Sequence, residues 1–450
     1  MLVRLKNVDT IVTCDLCDRV FRHTDLWFEN GEIIQIGALN RIPDSEYDLS
    51  DMVVYPGLIN VHHHLYQYFT RNLKKVQDYA LFDWLKALYG VWKNLDERTV
   101  FFSSAAGMAE LMRYGCTTCF DHHYVFPKDA GDLLGAQFEA ANVLGIRMHA
   151  SRGSMDLSEK DGGLPPDSVV QSVDEIMTDS EYAIRRFHDP IRFSMRQIVL
   201  APCSPFSASS KLYRESASLA RRYGVQLHTH LCETKDEESY TLSAFGKRPY
   251  EYLASLGWTG QDVFYAHGIH FNDAELNAIA ASGTKIAHCP VSNMKLSSGV
   301  MRLPDMLERG ITVGLAVDGS ASNDGSNLMD EIRNAYLIHR LTWGNRAPSG
   351  YAILKLATAG SASVLGRDDI GSVEIGKAAD LFAIRRNTSD LLCAIDDPMN
   401  LFGNVGYHRP CSLVFVNGKL TVKDGNLINI DEEALCRLSA AELTRFLSSL

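Results

Sequence analysis

The sequence predicts an α/β fold, a (β/α)8 TIM barrel carrying a small discontinuous β-sandwich built from both chain ends. Three observations predict it: eight short apolar runs alternate with helix-like stretches, each run ends in or beside a polar residue of catalytic type, and the remaining strand-rich texture is confined to the two ends of the chain. Alternating strand and helix patterns mark a parallel sheet, and eight repeats suffice to close one into a barrel with its function at the C-terminal strand ends. The length of 450 residues holds such a barrel, roughly 250 residues or more, and one companion unit. No Gly-x-Gly-x-x-Gly follows a strand and no Walker lysine occurs, which argues against an open doubly wound sheet.

The elements follow in order. Residues 1–57 form the first part of the β-sandwich, with strands expected at 2–5, 10–13, 25–29 and 32–36; Asn30-Gly31 between the last two is a strong hairpin signal. Residues 58–368 form the catalytic barrel, its strands expected at 59–64, 117–122, 147–151, 198–203, 225–231, 263–267, 285–289 and 313–318. Two long connections, 65–95 and 153–180, break the regular beat. Long connections in a compact domain are usually lids or binding loops, so specificity is expected there. Strand texture returns in 369–430, around the second hairpin signal Asn417-Gly418, and because a lone hairpin is marginal in water the two ends are expected to combine. In the tail, 431–450, Leu435, Leu438, Ala441, Leu443, Leu447 and Leu450 trace one face of an amphipathic helix.

A hydrophobic fraction of 46% and a charged fraction of 22% supply an ordinary large core. The net charge of −11, with no run of lysines or arginines longer than a pair, argues against nucleic acid as a partner. No secretory-length apolar segment opens the chain and no 18 uninterrupted apolar residues occur, so no membrane span and a cytoplasmic setting are expected. The ten cysteines lack the density of a disulfide framework and are expected to be reduced. The Cys14/Cys17 and Cys116/Cys119 pairs lie about a hundred residues apart, too far for a zinc ribbon.

The polar strand ends carry the chemistry. His62 and His64 stand two positions apart, so on a strand both rings point the same way and can close on one ion. The strand at 225–231 adds His228 and His230, and the following strands add His267, His288 and Asp318. Three imidazoles and one carboxylate suit an ion such as zinc and leave room for a water.

At these residues the chain resembles the amidohydrolase superfamily, in particular its aminohydrolase branch. The motifs are Pro-Gly-Leu-Ile-Asn-Val-His-His-His at 56–64, His-Leu-Cys-Glu-Thr at 230–234, Ala-His-Gly at 266–268, His-Cys-Pro-Val-Ser-Asn at 288–293 and Val-Asp-Gly at 317–319. The segment 371–381 looks like that family's return into its β-sandwich. The resemblance implies His62, His64, His230 and Asp318 as metal ligands, and Glu233, His267 and Asp318 as the residues that handle protons. His63 alternates to the other face, while His228 is left as a neighbour bracing the metal site. Relatives that bridge two metals do so with a lysine at the end of the fourth strand; here 198–204 ends without one, which favours a single divalent ion, Zn2+, with Fe2+ and manganese able to use the same ligands. The implied reaction is attack on a ring carbon by zinc-activated hydroxide, with loss of ammonia.

Within the branch, His64-Leu65-Tyr66-Gln67 with Leu81 to Lys86, and Arg152 to Ser158 with Gly162 to Asp167, resemble the 8-oxoguanine deaminases and the neighbouring hydroxytriazine aminohydrolases. A purine with a lactam edge suits the amide of Gln67, a guanidinium such as Arg152, and stacking on Trp84. These three are the expected substrate-binding residues, with His122 and His123 as weaker candidates. The expected reaction converts 8-oxoguanine to urate and ammonia. Guanine, isoxanthopterin and hydroxy-s-triazines are the alternative substrates, and ring-opening hydrolysis the alternative reaction. A homodimer is expected because that is the commonest closed assembly.

Overall fold

A computed structural model describes residues 1–448. Eight strands form the barrel: β1 Leu58–Asn60, β2 Cys116–Asp121, β3 Arg147–Ser154, β4 Arg196–Pro202, β5 Gln226–Leu231, β6 Val263–His267, β7 Lys285–His288 and β8 Val313–Leu315. They pair in sequence order and in parallel. The seam between β8 and β1 is thin: Val61 N–H donates to the Leu315 carbonyl, and Asp318 N–H donates to that of His62. Beyond it Asp318 and Gly319 pair in parallel with His63 and His64. That last bridge sets the His62-His63-His64 run that ends the first strand beside the aspartate of the eighth.

Phe120 of β2 and Phe264 of β6 meet across the barrel with ring centroids 5.2 Å apart, flooring the space beneath His228. Outside the barrel, alternate strand residues such as Met148, Ala150 and Tyr265 join the larger core under the helices. Many helices begin at a capping side chain, as when Ser209 accepts from Leu212 N–H, and end at a left-handed glycine such as Gly224.

The chain ends hold one continuous nine-stranded sheet, with Met52–Pro56 joining Leu2–Val12 to Leu381–Arg385. The sheet bends until its halves face each other, as in a sandwich: Phe28 and Phe415, several strands apart, pack edge to face at 5.5 Å. A bulge between Leu5 and Val8 supplies part of that bend.

Both long connections contain regular structure. The first holds a 3-10 turn, Leu65–Thr70, and helix α1, Leu81–Trp92, before α2, Glu97–Arg113. The second is shortened because β3 runs to Ser154 and α3, Val173–Phe187, starts early behind a Ser172/Glu175 capping box. Helix α4, Lys235–Phe245, follows β5, and the tail forms α5, Glu432–Ser448. Phe446 of α5 is buried with the lid residues Trp84 and Trp92, and buried Glu442 pairs with Arg98 of α2 at 2.7 Å. Leu438, assigned to the apolar face, is 47% exposed, and Leu450 lies outside the described residues. Among the described residues no helix is long and apolar enough to cross a membrane.

Candidate metal centre

His62, His64, His230 and Asp318 converge at the barrel mouth. Asp318 Oδ1 lies 3.3 Å from Nε2 of both His62 and His64, and His64 Nε2 is 3.2 Å from His230 Nε2. The opposite ring nitrogens are tied down. The Nδ1–H of His64 donates to the His122 carbonyl at 2.7 Å, and that of His230 to the Cys203 carbonyl at 2.7 Å. His228 Nδ1–H donates to the Phe264 carbonyl, which makes its Nε2 the acceptor for His62 Nδ1–H at 2.9 Å. Since a carbonyl only accepts, each chain of bonds leaves Nε2 of the three histidines with a free lone pair aimed at the others. His62 Nε2 is buried without a hydrogen-bond partner. Ligand atoms of His62, His230, His267 and Asp318 lie within 4.8 Å of one another, as do those of His62, His64, His122 and His230. An inward-pointing set of neutral imidazole nitrogens around one carboxylate fits a divalent cation.

Electrostatics agree with that fit. Burial pushes the His62 imidazole down to about 3 and holds His230 well below its ordinary range, so both stay neutral. Burial opposes the charge on Asp318, yet the imidazoles of His62 and His64 set against it outweigh that and hold its carboxyl well below the usual range. Its other oxygen accepts from Ser292 Oγ at 2.5 Å. Glu233 goes the other way: burial first, then the charge of Asp318, lift its carboxyl to about 8. Glu233 Oε2 lies 3.6 Å from His267 Nε2, and His267 Nδ1–H donates to Asn293 Oδ1 at 2.9 Å. His267 and Asp318 both have positive φ, 71° and 64°. Such backbone is uncommon outside glycine, and here it turns both side chains in at the strand ends.

A narrow cavity of about 30 Å³ opens above this cluster, reaching Glu233, His267 and Asp318. Gln67 and Trp84 line it, Gln67 fully buried with both amide atoms unpartnered. A side chain at Gly319 would overlap the Gln67 amide, so this close approach needs the glycine.

Arg152 corrects an expectation, because it does not line the cavity. It shares strand parity with outward-facing Met148 and Ala150, so its side chain leaves the barrel. There it pairs with Asp179 of α3 at 2.5 Å, donates to Gln171 Oε1 at 2.7 Å and lies over the Phe126 ring. His288 also leaves the cluster, its Nε2 2.9 Å from that of His339. His123 donates from Nε2 to the Val125 carbonyl, and His122 from Nε2 to the Ala201 carbonyl. Sequence reasoning missed Tyr124, Cys203, Phe206 and Leu296 on the cavity wall, and Ser292 and Asn293 beneath it. The last two stand in the His-Cys-Pro-Val-Ser-Asn motif, which was the available signal; the wall residues had none.

Comparison with known proteins agrees with this geometry. Residues 53–421 match the amidohydrolase family. The chain is 43% identical over 411 residues to an 8-oxoguanine deaminase of Pseudomonas aeruginosa, covering 90% of this chain and 91% of that one. It is 39% identical over 450 residues to a hydroxydechloroatrazine ethylaminohydrolase of Pseudomonas sp. strain ADP, covering 95% and 92%. The crystal structure of atrazine chlorohydrolase TrzN from Arthrobacter aurescens TC1, complexed with zinc, superposes with a TM-score of 0.95 at 31% identity over 98% of this chain and 100% of that one.

Proposed function

The chain belongs to the amidohydrolase family and is a metal-dependent aminohydrolase, and on that premise we propose that it deaminates 8-oxoguanine to urate and ammonia. The observation that carries the reading is the buried, unpartnered Gln67 amide on the wall of a cavity whose floor is the histidine and aspartate cluster. A lactam edge offers the donor and acceptor that this amide lacks.

A single zinc ion held by His62, His64, His230 and Asp318 would supply a water acidified to a pKa of about 7. In this reading Asp318 takes the proton of the attacking water, and His267 Nε2, left without a proton because Nδ1–H is given to Asn293, accepts a hydrogen bond from the hydroxyl forming on ring carbon C2. Glu233, held protonated by its surroundings, gives its proton to the adjoining ring nitrogen N3. Asp318 then returns a proton to the amino group, which leaves as ammonia, and the C2 hydroxyl proton restores Glu233. Trp84 closes one side of the slot as a flat apolar wall.

The test is a metal-quantified enzyme given 8-oxoguanine, guanine, isoxanthopterin and hydroxy-s-triazines, with ammonia and product mass recorded. Urate formation at the highest kcat/KM supports the reading; ring-opened product, or no ammonia from 8-oxoguanine, overturns it. A second reading, a hydroxy-s-triazine aminohydrolase, is favoured by the apolar side of the cavity, where Leu81, Leu85, Phe206 and Leu296 would face an alkylamino leaving group.

A cytoplasmic setting with reduced cysteines goes with this reading, and cell fractionation tests it. A homodimer, the commonest closed assembly, goes with this reading, and sedimentation tests it directly.

A further inference from the structure

Glu233 is the last residue before the turn into α4, and its placement depends on a second buried glutamate that the reaction scheme leaves unused. Glu237, in the first turn of α4, is 1% exposed. Its Oε1 accepts the backbone N–H of Cys232 at 3.0 Å and its Oε2 accepts that of Glu233 at 2.9 Å. The two amides are consecutive, and Cys232 between His230 and Glu233 sits at φ 53°, in the left-handed region. A glutamate at this helical position ordinarily reaches back to the N-cap amide. Here the N-cap is Thr234, whose hydroxyl accepts from Glu237 N–H, and the carboxylate passes over it to the two residues before. The helix N-terminus stabilises a carboxylate in this place, while burial opposes it and lifts the Glu237 carboxyl to about 8. Two hydrogen bonds on adjacent amides fix both the left-handed turn at Cys232 and the origin of the Glu233 side chain.

We infer that Glu237 is a positioning residue for proton delivery, holding Glu233 over the cavity by clamping the backbone amides of Cys232 and Glu233. The inference rests on the role given to Glu233 above. It predicts a loss of turnover with substrate and metal binding preserved, because Gln67, Trp84 and the ligand nitrogens are anchored elsewhere. A small misplacement of a reacting group costs on the order of 10²-fold in rate.

Two variants test it, Glu237→Leu, which removes both acceptors at similar volume, and Glu237→Gln, which retains one. The zinc-loaded proteins are assayed for kcat, KM and zinc content, and hydrogen–deuterium exchange is followed by mass spectrometry in peptides spanning 230–238. Expected are a fall in kcat of about 10²-fold for Glu237→Leu and about tenfold for Glu237→Gln, KM within about threefold, and one zinc per chain. Exchange should quicken at 232–233 in both variants and stay unchanged in the other barrel strands. Unchanged kcat, a rise confined to KM, or lost zinc overturns the inference. Should the native enzyme release ammonia from no substrate in the panel, the functional reading fails by itself, and exchange at 232–233 still decides the clamp.

Discussion

The floor and the wall of the cavity are built on different terms. On the floor each functional side chain is oriented by a fixed partner: His64 and His230 by carbonyls, His62 by His228, His267 by Asn293, and Asp318 by Ser292. On the wall Gln67 is buried with neither end of its amide satisfied, and the other neighbours are largely apolar. Groups arranged before any ligand arrives lower a barrier without reorganisation, whereas an unsatisfied buried amide costs free energy until a ligand of matching pattern fills it. The floor therefore sets the kind of reaction and the wall sets the substrate.

The comparison breaks most severely at the floor. Chelation of the metal, or His62→Ala, should lower ammonia release by about 10⁴-fold or more, since bulk water then replaces one of pKa about 7. Zinc restored to the chelated protein should recover the rate, and zinc should not rescue His62→Ala. Full turnover in a protein shown metal-free by elemental analysis would sink the reading of the floor.

Glu233→Gln should lower kcat by about 10²–10⁴-fold with zinc retained. The native profile carries the sharper test. With its carboxyl lifted to about 8 in the metal-free protein, Glu233 keeps its proton below that pH and loses it above, so kcat should fall on the alkaline side. A bound cation favours the carboxylate, which moves this limb to lower pH. A flat alkaline profile in the native enzyme removes Glu233 as the acid.

The smallest effects sharpen the wall. Gln67→Leu should lower kcat/KM for 8-oxoguanine by about 10- to 100-fold, the worth of about 1–3 kcal/mol of lost polar contact, with zinc unchanged. Arg152→Met should leave the ranking of substrates unchanged and lower Tm by a few degrees, since its partners are Asp179 and Gln171. If Arg152→Met changes the ranking and Gln67→Leu does not, the outward placement of Arg152 is wrong.

Eight strands and their polar ends were readable because a parallel barrel imposes a repeating apolar period and closely spaced histidines stand out against it. The direction of Arg152 was harder to read, because the strand containing it extends three residues past its expected end and parity counted along that longer strand sends the side chain outward. Helix α1 was read as part of a long connection, since its Trp84 and Leu85 are equally at home in a loop that covers a pocket. Glu237 stands at a position where a helix-start glutamate is ordinary, and its reach to Cys232 and Glu233 depends on a left-handed turn that no local pattern announces.

By itself the sequence determined the fold class, the two-part end domain, the ligand types and their order along the chain, because hydrophobic periodicity and residue chemistry are local properties. Only the tertiary structure decided which ring nitrogens stay free, what lifts the Glu233 carboxyl, and which polar side chain faces the cavity. Those depend on burial and on partners brought together from strands far apart in the chain, where removal of water makes each charge and each lone pair answerable to its neighbours.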